Sequence, residues 1–338
     1  MLGHKALRRD SGVTLIELLV AMALGLVVVL IAGAALLLAR QGYDAVDSTS
    51  QIRDRQRLAA ELLTRTIVQA GFEDFGAATT TFRANADETL LEPDIFGWNN
   101  AIYQMPNTRA ISTNTTFTNG GRPAVCGANT TTACRNGSDV LAVRFQGVAD
   151  PAHPLQSDNS VLNCAGFGET ALSANKLDER GFSIFHVGVD ANGEPSLRCS
   201  YYANGAWQPS VPLLEGVESF QVLYGTDGVT ANTIPPATGV AQDSIADSWL
   251  RADQLSVVGN PIETRNNWRR VRAIRIGLVL RGPVGSAPQS VASTSQPLGA
   301  AYTDSANDVG SALAIPADRR LRMTSTFTVH VRNDLTTR

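Results

Sequence analysis

Charge is scarce in this chain: Asp, Glu, Lys and Arg make up 17% of its 338 residues, and the formal net charge is −3. No segment interleaves clustered basic residues with aromatics, which argues against a nucleic-acid-binding surface. Histidine is rarer still, at four residues, and none has the HExxH spacing of a zinc site. There is no GxSxG elbow, and no GxGxxG or phosphate loop follows a strand-like run. His4 lies near the N-terminus, His153 in the loop Pro151-Ala152-His153-Pro154, and His186 and His330 on strand-like segments. Each reads as a satisfied structural histidine. Asp190, Asn192 and Glu194 alternate like calcium ligands, but Gly193 and Pro195 break the EF-hand register, so the stretch reads as a turn. No catalytic, metal or cofactor site is implied, and the chain does not read as an enzyme. A membrane-tethered periplasmic hydrolase is the alternative from another class.

The four cysteines are Cys126, Cys134, Cys164 and Cys199, and none forms a CxxC pair. That spacing excludes the common zinc and redox motifs. An even number of cysteines beyond an apolar N-terminal run suggests disulfides in an exported domain. Three connectivities are open, and Cys126–Cys134 with Cys164–Cys199 is favoured, because the first would close a short Asn/Thr-rich loop with little else to order it.

Proline is missing from residues 13–70, so nothing there breaks a helix. A short basic leader carries Lys5, Arg8 and Arg9. Residues 13–39 are then hydrophobic or small everywhere except Thr14 and Glu17, and residues 18–39 carry no charge. About 20 apolar residues suffice to span the hydrocarbon core, and the basic flank sets the leader on the cytoplasmic side. Glu17 is the anomaly, since a carboxylate in a membrane helix costs a few kcal/mol or more and normally has a partner. A cut after Gly12 would put a new α-amino group on Val13, close to a Glu17 that the helix dipole already favours.

Beyond Arg40 the pattern stays helical. Val46, Ile52, Ala59, Leu62, Leu63, Thr66, Ile67 and Ala70 recur at three- and four-residue steps, with Arg53, Arg55, Arg57, Glu61 and Arg65 opposite. One helix over residues 13–70 is expected, its first half (13–39) in the membrane and its second (40–70) packed on a globular domain at 71–338. Gly71 is the expected stop.

The rest reads as β-rich. Residues 72–138 are loop-rich, with Trp98 and Tyr103 covering the helix or a sheet edge. Strand patterns occupy residues 139–147, 181–189, 197–202 and 217–224, the middle two joined as a hairpin through Asp190-Ala191-Asn192-Gly193. Residues 271–281 bury Ile274, Ile276, Leu278 and Leu280, with Arg272 near an edge. Residues 321–331 bury Leu321, Met323, Phe327, Val329 and Val331, while Arg322, Thr324, Thr326, Thr328, His330 and Arg332 face out. Such alternation marks antiparallel strands with one wet face. Residues 226–267 and 283–318 read as long irregular loops, a length usually functional or mobile.

The run Arg8-Arg9-Asp10-Ser11-Gly12 followed by Val13-Thr14-Leu15-Ile16-Glu17-Leu18-Leu19-Val20 resembles the class III signal of type IV prepilins and type II secretion pseudopilins. Residues 213–225, 271–278 and 322–333 are similar to segments of minor pilins of the PilW type. The resemblance implies a pilin-like α+β fold: a long N-terminal helix, transmembrane in its first half, on a mainly antiparallel β domain. It implies a leader, residues 1–12, cleaved at Gly12–Val13 by a prepilin peptidase that also methylates Val13, and an assembly role for Glu17. The protein would be a minor pilin of the pilus tip or priming complex that helps initiate assembly. It would sit first in the inner membrane with its domain in the periplasm, then in the pilus at the cell surface. Its partners would be other minor pilins and the major pilin, contacted through the N-terminal helix, and a large tip adhesin. A type II secretion minor pseudopilin of the J type is the related alternative. Ala34 occupies the position where major pilins usually have proline, which fits a repeating shaft subunit poorly.

Overall fold

The computed structural model describes residues 12–73, 92–106, 130–131, 134–169, 180–203, 205–236, 243–287, 289, 291–302 and 310–333. Its first element is α1 (Leu15–Ile67), a helix of 53 residues and hence about 80 Å long at 1.5 Å per residue. Thr14 starts it with an extended backbone and a capping box to Glu17, which satisfies amides that have no partner in the first turn. Past its C-terminal end, Gly71 takes a φ of 66°, in the left-handed region that favours glycine, and its N–H donates to the Arg144 carbonyl.

α1 is exposed along its apolar half and is first covered at Ser48. From there Ile52, Ala59, Leu63, Thr66 and Ile67 form the buried stripe, each large apolar side chain contributing roughly 1.5–3 kcal/mol on burial. Val46, expected in that stripe, is 71% exposed because the domain does not reach it.

Strands β1 (Ile95–Trp98), β2 (Thr130–Thr131), β3 (Cys134–Arg135), β4 (Val140–Phe145), β5 (Ala149–Asp150) and β6 (His153–Ser157) come next. They are followed by β7 (Gly181–Val189), β8 (Pro195–Ala203), β9 (Ala206–Trp207) and β10 (Val211–Glu215). The first sheet has the order β1-β4-β7-β8-β10, with β9 paired to β8. The second comprises β11 (Val217–Thr226), β12 (Ser248–Leu250), β13 (Val271–Arg281) and β16 (Arg322–His330), in the order β12-β11-β13-β16. Every pairing in both sheets is antiparallel. Trp98 therefore lies on an edge strand.

The chain crosses between sheets at Gly216, whose φ of 82° favours glycine. A Cβ there would stand 2.7 Å from the Arg281 carbonyl oxygen. Asp139 ties the sheets together by accepting from the Asn100 N–H (2.8 Å) and the Val222 N–H (2.7 Å). One apolar cluster runs from Ile52, Leu63 and Ile67 of α1 through Phe96, Phe182 and Phe185 to Phe220, Tyr224 and Trp268.

α1 lies along β13 and β16. Ile52 faces Gly282 at one end, and at the other Asn333 Nδ2 donates to the Ala70 carbonyl at 2.7 Å. The opposite face of β13 is covered too, which overturns the expected wet face: all its residues except Arg275 are buried. Pro297 sits against Gly277, and the Thr326 hydroxyl donates to the Pro297 carbonyl at 2.6 Å. Only β16 keeps the alternation, with Thr324, Thr326, Thr328 and His330 exposed. Arg272 is not at an edge. It lies on the central strand β13 beside Asp227 at 3.6 Å.

The two stretches read as loops carry structure. Within 226–267 stand β12 and α2 (Pro261–Arg269), which begins with Asn260 capping the Glu263 N–H and Pro261 at its first position. Within 283–318, β14 (Ser293–Ser295) pairs with β15 (Leu313–Ile315). A strand of three residues shows no alternation and a helix of nine barely two turns of its period, and these strands owe their existence to partners distant in sequence.

His186 is buried on β7, stacked on Tyr103 with ring centroids 4.0 Å apart. It is structural but not satisfied as expected: neither ring nitrogen has a hydrogen-bond partner among the described residues. Burial, with the Arg198 charge adding to it, holds its pKa down at about 3. The folded chain therefore keeps this ring neutral while the unfolded chain protonates it, and stability declines as pH falls from about 6.5 towards 3. We expect His186→Phe to flatten that part of the curve of melting temperature against pH, measured by circular dichroism.

Candidate assembly site

The two sequence-singled residues of the N-terminus that the structure brings together are Thr14 and Glu17. Glu17 Oε2 accepts from the Thr14 N–H and from the Thr14 hydroxyl, both at 2.9 Å, and Thr14 Oγ1 accepts from the Glu17 N–H at 3.3 Å. The carboxylate is thereby aimed back towards the start of the helix, where the unpaired amides carry partial positive charge. Glu17 Oε1 has no hydrogen bond among the described residues, so the group retains an acceptor for a cation supplied from outside the turn.

Gly12 and Val13 precede the helix, exposed and outside any helix or strand. α1 itself is the one described helix long and apolar enough to cross a membrane. Ala21, Ala23, Gly25, Ala32, Gly33, Ala34 and Ala35 lie along it, and a Cβ built on Gly25 or Gly33 meets nothing within 4 Å. Small residues of this kind let a second helix approach closely where lipid removes the hydrophobic drive.

Where the domain meets this helix stands a charge cluster that the sequence reading did not identify. Glu218, on β11, is 2% exposed. Its Oε1 accepts from Arg281 at 2.9 Å and from Arg135 and Arg322 at 3.2 Å, and its Oε2 from Arg322 Nε at 2.5 Å. Arg281 also pairs with Glu194 (2.8 Å), and Arg322 with Asp318 (2.7 Å). Burial pushes the Glu218 carboxyl up, but hydrogen bonds from Arg322 and the charges of Arg322, Arg135 and Arg281 outweigh it and leave it below the usual range. Arg322, expected to face solvent, is thus a buried partner. The cluster pins the ends of β11, β13 and β16 next to Ile52 and Arg55, where α1 enters the domain. The available signal was Glu218 itself, the only acidic residue in β11.

Of the cysteines, Cys164 and Cys199 form a disulfide with Cα atoms 6.1 Å apart. Cys134 is also disulfide-bonded, while Cys126 lies outside the described residues.

Comparison with known proteins meets this geometry at both ends of the chain. A family model described as the prokaryotic N-terminal methylation motif matches residues 7–33, covering Gly12 to Glu17 and much of the apolar half of α1. A second, described as type IV pilus-assembly protein W, matches residues 184–333, which include all of the second sheet and Asn333. No curated protein matches. Among solved structures, a type IV-like pilin from Thermus thermophilus is similar at 15% identity and a TM-score of 0.37, over 83% of this chain and 96% of that one.

Proposed function

We propose that this chain, which joins an N-terminal methylation motif to a segment matching the PilW family, is a PilW-like minor pilin of the type IV pilus and acts in the tip or priming complex that starts the filament. The observation that carries this reading is the division of α1. Its apolar first part is bare while the domain grips only the part beyond Ser48. A helix made this way can serve first as a membrane anchor and then as a strand of a helical filament core. The PilW match favours the pilus over a secretion pseudopilus.

In this account the leader, residues 1–12, stays in the cytoplasm while residues 13–39 span the inner membrane and the β domain folds in the periplasm. A prepilin peptidase cuts the Gly12–Val13 bond and methylates the Val13 amine. Glu17 then accepts the α-ammonium group of a neighbouring subunit through the acceptor that its capping bond leaves open, which offsets desolvation of both charges. Small residues along the helix allow the bundle to close. Other minor pilins are the first partners, the major pilin follows, and a large tip adhesin sits above them. The large domain and the absence of proline at Ala34 favour an initiating subunit over a repeating one.

The test is to purify the full-length tagged protein in detergent from cells that carry the other minor pilins. Co-elution of at least one of them in stoichiometric amount is expected. Recovery of the protein alone, or with the major pilin only, contradicts the priming role.

A further inference from the structure

Beside the Cys164–Cys199 disulfide lies an open cleft of about 570 Å³, lined by Asn159, Phe167, Glu169, Tyr201, Tyr202 and Gln208 among others. Nothing in the assembly role uses it. One wall is the loop of residues 158–169, and the other is the end of β8.

The loop is held from several sides. The disulfide staples it to β8, and the Cys164 N–H donates to the Ser183 hydroxyl at 3.0 Å. Asn163 organises the tip: its Oδ1 accepts from the Ala165 and Phe167 N–H groups at 3.0 and 3.1 Å, and its Nδ2 donates to Glu169 Oε1 at 2.9 Å. On this fixed tip Phe167 is 56% exposed, with its ring 5.4 Å from that of Tyr201 and tilted 30° to it. An aromatic ring displayed by an ordered loop loses little conformational entropy when it is covered, which is the economy of a preorganised site.

The lining defines the ligand. Its described lining sets aromatic rings against side-chain amides and hydroxyls, with Glu169 the one charged group among the described residues, and that group is bonded to Asn163. This suits an uncharged molecule with one apolar face and many hydroxyls. A sugar ring has that character: its C–H face packs on the negative face of an aromatic ring, and its hydroxyls meet the amides. The volume lies within the range of small-molecule sites, about 300–1,000 Å³. The Leu162 N–H donates to Gln69 Oε1 at 3.0 Å, so this loop sits at the end of α1 remote from its apolar half, on the side a filament subunit turns away from the membrane.

We propose that the cleft binds a neutral saccharide of about disaccharide size, with Phe167 as its stacking platform. The full-length protein, kept in a detergent without a sugar headgroup, is applied to an array of neutral glycans, and retained glycans are titrated by calorimetry. Saturable binding at one site per chain is expected. Phe167→Ala should weaken it about tenfold or more, while Phe167→Tyr should keep it within about threefold. Near-UV circular dichroism confirms that each variant is folded. If the folded protein retains no neutral glycan, or if Phe167→Ala binds as the parent does, the proposal is overturned.

Discussion

Replacing Glu218 with alanine should cost the domain about 3–5 kcal/mol, the expected loss when one partner of a buried ion pair is removed and the other charges stay behind. Three guanidinium groups share this carboxylate, and among the described residues only Arg281 and Arg322 of the three have a second acidic partner, in Glu194 and Asp318. Against a typical total of about 5–15 kcal/mol, that is a large fraction. Denaturant unfolding followed by near-UV circular dichroism reads it as a lower midpoint. The same cluster sets an acid limit. Hydrogen bonding to Arg322 lowers the Asp318 carboxyl from 3.8 to about 2, and Glu218 is lowered too. Stability from these groups is complete above the ordinary carboxylate range and is lost as pH falls towards 2. The Glu218→Ala protein should therefore show a shallower acid loss below pH 4.

The second large effect concerns Glu17. Glu17→Ala should leave cleavage intact, because the scissile bond lies before the helix, yet should reduce incorporation into pili by about 30-fold or more. That figure follows from a loss of about 2–5 kcal/mol for truncating one member of a buried, hydrogen-bonded charge pair, at tenfold per 1.4 kcal/mol. Glu17→Gln separates two roles of the side chain. Glutamine can still complete a capping box with Thr14 but cannot pair with an ammonium group as an ion. Immunogold counts on sheared pili should be low for both variants. Normal counts for Glu17→Gln would assign the residue to helix capping alone.

The parts of the fold that were legible are those with a long period or a fixed motif. A 53-residue helix without proline, and strands β7 and β13, announce themselves through repetition, and the sequence expectation for both strands has the observed limits. The Gly12–Glu17 stretch was legible because its spacing is rigid. The cover over β13 was not, because Pro297 and Gly277 meet through a segment of little apolar content. The Glu218 cluster was not, because it joins residues 135, 194, 218, 281, 318 and 322, and alternation placed Arg322 on the wet side. Alternation reports which face a residue occupies, whereas burial of a charge depends on what another part of the chain brings to that face. The Cys164–Cys199 pairing was one of the expected bridges, but its part in fixing the Phe167 loop needed coordinates.

The central claim is that the bare half of α1 is an assembly handle released by cleavage before Val13. The most direct measurement is the intact mass and N-terminal peptide of the protein recovered from cells with and without prepilin peptidase. The account predicts a chain beginning at a methylated Val13 when the peptidase is present and the leader retained when it is absent or when Gly12 is replaced by a bulky residue. A mature N-terminus at any other residue, or a leader retained in normal cells, would contradict it.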